Sequence, residues 1–128
     1  MERIRLLLVD DEPAVRRGLK MRLELEPDVE VVGEAGDGES ALELVAELSP
    51  SVVLMDVEMP VMDGISATRE INAGASGAVV VVLSIHDDRD TIERAKLAGA
   101  ASFVPKTDMD EALLNAIRNA ATTVKGDT

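Results

Sequence analysis

Five polar residues stand just past the apolar runs of this chain. Asp10 and Asp11 follow Ile4–Val9, Asp56 follows Val52–Met55, Ser84 follows Ala78–Leu83, and Lys106 comes shortly after Ser102–Val104. Three carboxylates brought to one rim repel each other unless a cation joins them. An all-oxygen acidic site with open positions suits Mg2+, which takes one or two carboxylates and keeps several waters. A metal and an ammonium together neutralise the oxygens of a phosphoryl group. A hydroxyl can donate a hydrogen bond to it, and a carboxylate can accept it as a nucleophile. Taken singly, each residue has a plainer reading: solvated acids at a strand end, a turn cap at Asp56, a surface ion pair at Lys106, a backbone-bonded hydroxyl at Ser84. Chance rarely supplies all of them after strands on one rim.

The elements that must position these groups can be read from periodicity. Short β-branched or leucine-rich runs alternate with segments of helical period. After Ile4–Val9 comes a helical pattern from Pro13 to Leu25, with Val15, Leu19 and Leu23 as its buried stripe. Pro13 suits the first turn, where its missing N–H is not needed. Val29–Val32 reads as a second strand, and Asp37 as the N-cap of a helix Glu39–Leu48 with Leu42, Val45 and Ala46 on one face. The third strand, Val52–Met55, ends at Asp56; a loop Met59–Gly64 and a helix Ile65–Asn72 follow. Ala78–Leu83 is nearly all apolar, as in strands covered on both faces. Asp90–Ala98 is helical and stops at Gly99. Ser102–Val104 is a short last strand, and Thr107 or Asp108 caps a final helix reaching about Thr123. About five strand–helix pairs imply a parallel sheet with helices on both faces. Such sheets bind ligands at the carboxyl ends of their strands, near a topological switch point.

Composition excludes several other chemistries. At 128 residues the chain fits one domain. A domain of this size buries roughly two-thirds of its unfolded surface, so it needs no disulfide or metal to fold. Cys is 0, which removes Cys nucleophiles, Cys-ligated zinc and iron–sulfur chemistry. The single His, His86, cannot build a multi-His metal site, and any Ser–His–Asp triad would have to use it. The formal net charge of −12 repels polyphosphate, so no direct nucleic-acid binding is expected and a basic partner surface is. The longest apolar run is far short of the ~20 residues of a membrane span. Leu6–Val9 is cut by Asp10 too early for a signal-peptide core, so the expected compartment is the cytoplasm. With one Phe and no Tyr or Trp, the core must be built from Leu, Val, Ile, Met and Ala.

Three segments carry a family resemblance. Leu7-Leu8-Val9-Asp10-Asp11-Glu12-Pro13 resembles the opening of a response-regulator receiver domain of bacterial two-component signalling (CheY-like). So does Val53-Leu54-Met55-Asp56-Val57-Glu58-Met59-Pro60-Val61-Met62-Asp63-Gly64, and so does Ala98-Gly99-Ala100-Ala101-Ser102-Phe103-Val104-Pro105-Lys106. The similarity covers essentially the whole chain, with the motifs in order. It implies an α/β, doubly wound (βα)5 flavodoxin-like fold with a parallel five-stranded sheet in the order 2-1-3-4-5. It implies that Asp56 accepts a phosphoryl group from a phosphohistidine on a sensor histidine kinase. Asp11 and Asp56 would ligate Mg2+ with the backbone carbonyl of Glu58, and Asp10 would act through metal-bound water. Lys106 would pair with the phosphoryl oxygens and Ser84 would swing toward them. Phe103 matches the switch aromatic that turns inward as Ser84 moves, and Pro60 and Gly64 match the loop that shapes the site. The physical logic is a two-state element biased by a local charge change. Such a domain is not an enzyme beyond catalysing its own phosphotransfer and dephosphorylation. Its implied partners are the kinase and, on phosphorylation, a second copy of itself.

Several positions depart from the commonest pattern. Phe103 replaces the Tyr of many members, so the switch must rest on packing; a simple core Phe is the other reading. Pro105 precedes Lys106, whereas many members carry Pro after the Lys, so their Lys–Pro cis peptide is absent. The isomer of Val104–Pro105 is left open, with trans the default. Ile85 stands where a small residue is common and would narrow access to the site. Glu58, two beyond Asp56, and His86, two beyond Ser84, are expected to tune the phosphoryl lifetime by positioning or excluding the hydrolytic water. Two solvated polar side chains are the equal alternative.

Residues 1–124 read as the receiver, and 125–128 as a tail or the start of a linker to an output domain. Lys106-Thr107-Asp108 and Asp63-Gly64-Ile65-Ser66-Ala67-Thr68-Arg69 resemble the NarL/LuxR-type subfamily, whose output is a helix-turn-helix domain. Transcriptional control through such a domain outside this chain is therefore favoured. The switched surface would be helix 4, strand 5 and helix 5, around Arg94, Lys96 and Phe103. The alternatives are a stand-alone receiver acting by docking, and a small Mg2+-dependent aspartyl-phosphate phosphatase with Glu58 as its second acid.

Overall fold

Strands and helices alternate without exception: β1 (Ile4–Val9), α1 (Pro13–Leu23), β2 (Val29–Ala35), α2 (Gly38–Leu48), β3 (Val52–Asp56), α3 (Gly64–Ala73), β4 (Val79–Ser84), α4 (Arg89–Leu97), β5 (Ser102–Pro105) and α5 (Glu111–Gly126). This computed structural model describes residues 3–57, 63–74, 76–85, 89–106 and 111–126. Glu58, Pro60, His86 and the expected caps Thr107 and Asp108 lie outside the described residues. The sheet is five-stranded and parallel, in the order β2-β1-β3-β4-β5. This is the expected 2-1-3-4-5 arrangement. Among the described residues no helix is long and apolar enough to cross a membrane.

Two apolar layers flank the sheet, and strand alternation decides which residue enters which. Leu7, Val9, Val53, Met55, Val80 and Val82 pack under α2, α3 and α4. Their neighbours Leu6, Leu8, Val52, Leu54, Val81 and Leu83 pack under α1 and α5 with Leu19, Leu23, Leu113 and Ile117. Each fully buried aliphatic side chain contributes roughly 1.5–3 kcal/mol. Both faces of β3 are covered, and all five of its residues are buried, Asp56 included.

Element ends follow local chemistry. Pro13 opens α1, and Asp37 caps α2 by accepting the Ser40 N–H at 2.8 Å. Gly99, at φ 102°, ends α4: its N–H bonds to Lys96 O and that of Ala100 to Ala95 O, the paired bonds of a left-handed C-terminal stop. The Val104–Pro105 peptide is trans.

Several boundaries differ from the sequence expectation. Helix α1 stops at Leu23 rather than Leu25. Tight turns take over there, with Leu25 N–H on Arg22 O and Glu26 N–H on Leu23 O before Pro27. Strand β2 continues to Ala35 instead of ending at Val32. The register with β1 jumps between Leu6 and Leu7, so Val32 is an extra residue and pairing resumes at Gly33. A Cβ at Gly33 would meet Leu48 Cδ1 at 2.7 Å, the tip of an α2 side chain that would have to turn aside. On α2 the buried stripe is Ala41 and Val45 with Leu42 partly buried, and Ala46 is exposed. Helix α5 runs to Gly126, beyond Thr123.

Candidate functional site

The switch point of this strand order lies between β1 and β3, whose chain directions lead off to opposite sides of the sheet. Asp10 and Asp11 follow β1 there, and Asp56 ends β3 beside it, with Val9 paired to Met55. Carboxylate oxygens of Asp10, Asp11 and Asp56 all lie within 4.8 Å of one another. Asp10 and Asp56 are each 1% exposed, whereas Asp11 is open to solvent. The cluster therefore has two fixed inner acids and one at its mouth.

Lys106 reaches the inner acids from β5. Its Nζ stands 3.1 Å from Asp10 Oδ2 and 3.2 Å from Asp56 Oδ1. Burial is the largest single influence on its pKa and acts downward. The Asp56 charge and the Asp10 hydrogen bond, acting together, outweigh it and hold the ammonium above its usual 10.5. Lys106 thus stays a cation at neutral pH. Three carboxylates against one ammonium leave a formal excess of two negative charges at the β1/β3 crevice. The donors are all oxygen and one acid faces solvent, so this chain's residues fit a divalent cation of the Mg2+ type that retains waters.

The other sequence-singled residues have definite places. Ser84 ends β4 and is fully buried; its carbonyl accepts the Lys106 N–H at 2.8 Å, which sets strand end and lysine at one level. Phe103 on β5 is half-buried against the α2–α4 layer. Ile85 is 63% exposed. Gly64 begins α3 against the end of β3, and its N–H bonds to Val57 O at 3.0 Å. A Cβ there would lie 2.0 Å from Asp56 O, so no side chain fits. Asp63 caps α3 by accepting the Ser66 N–H at 2.8 Å. The structure thus brings Asp10, Asp11, Asp56 and Lys106 together. The Glu58 and His86 positions fall outside the described residues.

Two contacts were not legible in the sequence. Asp10 Oδ1 accepts the Glu12 N–H at 2.9 Å, and Arg16 on α1 bonds the main-chain oxygen of Asp10 at 2.5 Å. Nothing in the helical pattern separates Arg16 from Arg17. Only its spacing of six residues from Asp10, across a turn of unknown shape, could have suggested the contact.

Comparison with known proteins agrees with this arrangement. The chain is 45% identical over 118 residues to the transcriptional regulatory protein LiaR of Bacillus subtilis (strain 168), covering 92% of this chain and 56% of that protein. It is 44% identical over 110 residues to a protein-glutamate methylesterase/protein-glutamine glutaminase of Alkalilimnicola ehrlichii, covering 84% of this chain and 28% of that one. The chain therefore spans about half the length, or less, of these curated relatives. Among solved structures, the signal receiver domain of the response regulator NarL from Mycobacterium tuberculosis superposes with a TM-score of 0.86. It is 34% identical and covers 98% of this chain and 99% of that one. The model of the response regulator receiver domain matches residues 6–118, and with the acid cluster at the β1/β3 crevice this places the chain in the response regulator receiver domain family.

Proposed function

We propose that Asp56 is the phosphoacceptor of this receiver and that the domain switches an output by being phosphorylated there. The observation that carries the reading is the pairing of buried Asp56 with the Lys106 ammonium, beside Asp10 and the solvent-facing Asp11. In the transfer, the P–N bond of a phosphohistidine on a sensor histidine kinase breaks. A carboxylate oxygen of Asp56 forms the new P–O bond, which leaves imidazole on the kinase and an acyl phosphate on Asp56. Asp11 and Asp56, with the Glu58 carbonyl, would hold Mg2+, and Asp10 would act on the ion through water. When bound there, the ion would supply charge neutralisation for the incoming phosphoryl oxygens. Lys106 neutralises a further oxygen, and the Ser84 hydroxyl is the hydrogen-bond donor on the β4 side. Phe103 moves with Ser84 and carries the change to the α4–β5–α5 face. Ile85, Glu58 and His86 set access and phosphoryl lifetime.

In its protein, this receiver controls transcription through a LuxR-type DNA-binding domain and pairs with a second copy on phosphorylation, in the cytoplasm. LiaR, a transcriptional regulator, supports that output. The methylesterase relative illustrates that a similar receiver occurs in a protein named for an enzyme, so the output is a separate matter from the switch. The receiver itself acts as a phosphoacceptor rather than on a separate substrate.

The test is intact-mass analysis after incubation with Mg2+ and acetyl phosphate. The expected result is a single phosphoryl adduct on the wild type, abolished by EDTA and absent from Asp56→Asn. An adduct that persists in Asp56→Asn overturns the assignment. Steady turnover of unrelated phosphoesters replaces it with a phosphatase.

A further inference from the structure

The Arg16 side chain is held at two places at once, after β1 and on β2, although a place on α1 requires neither. Its Nη1 donates to the main-chain oxygen of Asp10 at 2.5 Å, and its Nε to Glu34 Oε1 on β2 at 3.3 Å. Lys20, one turn further along α1, holds the other Glu34 oxygen at 3.5 Å. The turn after β2 passes close by: a Cβ on Gly36 would lie 3.4 Å from Arg16 Nη1.

These bonds complete the fixing of the chain around Asp11. The Asp10 N–H bonds to Ala35 O, and the Asp10 carbonyl accepts from Arg16. On the far side, the Glu12 N–H is held by Asp10 Oδ1 and the Glu12 carbonyl by the Arg16 N–H. Both peptides that flank Asp11 are thereby pinned, so its exposed side chain meets the cluster in a direction set by main chain. A guanidinium can serve two acceptors in a fixed fork, which an ammonium on a flexible stem does not reproduce.

We propose that Arg16, braced by Glu34, is a positioning residue that orients the Asp10–Asp11 peptide and so aims the Asp11 carboxylate into the divalent-cation site. The proposal rests on the reading of Asp10, Asp11 and Asp56 as that site. Its sign distinguishes it from a simple charge effect. Removing a cation beside an acidic site should tighten Mg2+ binding if charge alone mattered, whereas losing the orientation should weaken it.

The experiment is a Mg2+ titration followed by backbone amide NMR shifts, on wild type, Arg16→Ala, Arg16→Lys and Asp11→Asn, with a urea midpoint for each. Arg16→Ala is expected to bind Mg2+ about 10-fold more weakly, the lower end of what outer-sphere partners of a metal contribute. Arg16→Lys, which keeps the charge, is expected to bind between that variant and wild type. Equal or tighter binding by Arg16→Ala overturns the proposal, even if its urea midpoint falls. Should Arg16→Ala not fold, Arg16→Lys decides, and wild-type affinity there overturns it. Wild type that does not bind, or Asp11→Asn that binds like wild type, removes the cation-site reading itself. That result differs from a clamp that fails while Asp11→Asn is still impaired.

Discussion

Adding one methyl group at Gly64 should cost this protein both stability and phosphorylation. The Cβ of Gly64→Ala would stand 2.0 Å from Asp56 O and 2.8 Å from both Asp56 C and Val57 Cα. All three are main-chain atoms, so no flexible side chain can yield. Non-bonded contacts settle near ~3.5 Å, so the end of β3 and the start of α3 must part by more than about 1 Å. The Gly64 N–H to Val57 O bond, 3.0 Å, spans the same gap and must lengthen with it. Overpacking costs roughly 1–3 kcal/mol, and a clash with main chain belongs at the upper end, about 3 kcal/mol. With a urea slope of ~1.5 kcal/mol/M, the midpoint falls by about 2 M. The displaced atoms belong to the proposed phosphoacceptor, and a shift of ~1 Å at a reacting group can slow its reaction about 10²-fold. Acetyl-phosphate labelling, read by intact mass, should therefore slow by that order. Gly18→Ala supplies the control. Gly18 lies inside α1 with nothing within 4 Å of its would-be Cβ, so the same change should stabilise by roughly 1 kcal/mol and leave labelling unchanged. A Gly64→Ala protein that unfolds and labels like wild type refutes the close-approach reasoning.

Three further outcomes follow from the charges. Mg2+ should raise the unfolding temperature by binding the folded state, worth about 2.7 kcal/mol at a hundredfold excess over Kd, and EDTA should reverse it. Calorimetry checks this, and a shift that survives in Asp11→Asn places the ion elsewhere. Lys106 has its folded pKa raised above 10.5, so its contribution is complete below the unfolded value and is lost as pH rises through the folded one. Urea midpoints taken into the alkaline range should fall more steeply for wild type than for Lys106→Met; equal slopes contradict the pairing. At the opposite end of the sheet, hydrogen bonds from Arg22 and then Arg118 lower the Glu26 pKa below 4.5, and that of Arg118 lowers Asp28 below 3.8. Their stabilisation is present above those values and lost as pH falls through the lowered ones, so the deficit of Arg118→Gln should shrink toward pH 2. These groups are exposed and the effect should fade in high salt; a deficit independent of pH and salt argues against an ionic origin.

The parts of this fold that the sequence made legible are those governed by short-range pattern. Strand alternation places Leu6 and Leu8 on one face and Leu7 and Val9 on the other, and the strand ends then fall at Asp10, Asp56 and Ser84 without further information. Asp37 and Gly99 announce helix ends because one residue suffices to make each cap. The bulge at Val32 was not legible, because pairing with β1 and packing under α2 decide it, and both are tertiary. Arg118 meets Asp28 across ninety positions of sequence at 2.8 Å, and no local pattern encodes that meeting. Gly64 was legible as a loop residue, but its steric reason, the Asp56 carbonyl, appears only when β3 and α3 are packed.

The same contrast explains how an unfavourable site persists. Asp10 and Asp56 are buried acids that share one ammonium, and Asp11 adds a third carboxylate within 4.8 Å. An apolar domain would be more stable without them, since buried charge is retained against a desolvation cost of several kcal/mol per ion. What holds them is a sheet buried on both faces, whose β1 and β3 cannot separate without opening both apolar layers at once. The repulsion is therefore stored locally rather than relieved by unfolding. Any ligand that brings positive charge to the crevice is favoured by that stored repulsion. A phosphoryl group on Asp56 would instead add negative charge facing Lys106 and Ser84. That added charge would bear on the Lys106 ion pairs with Asp10 and Asp56, while the β1 side is pinned through Asp10, Glu12 and Arg16.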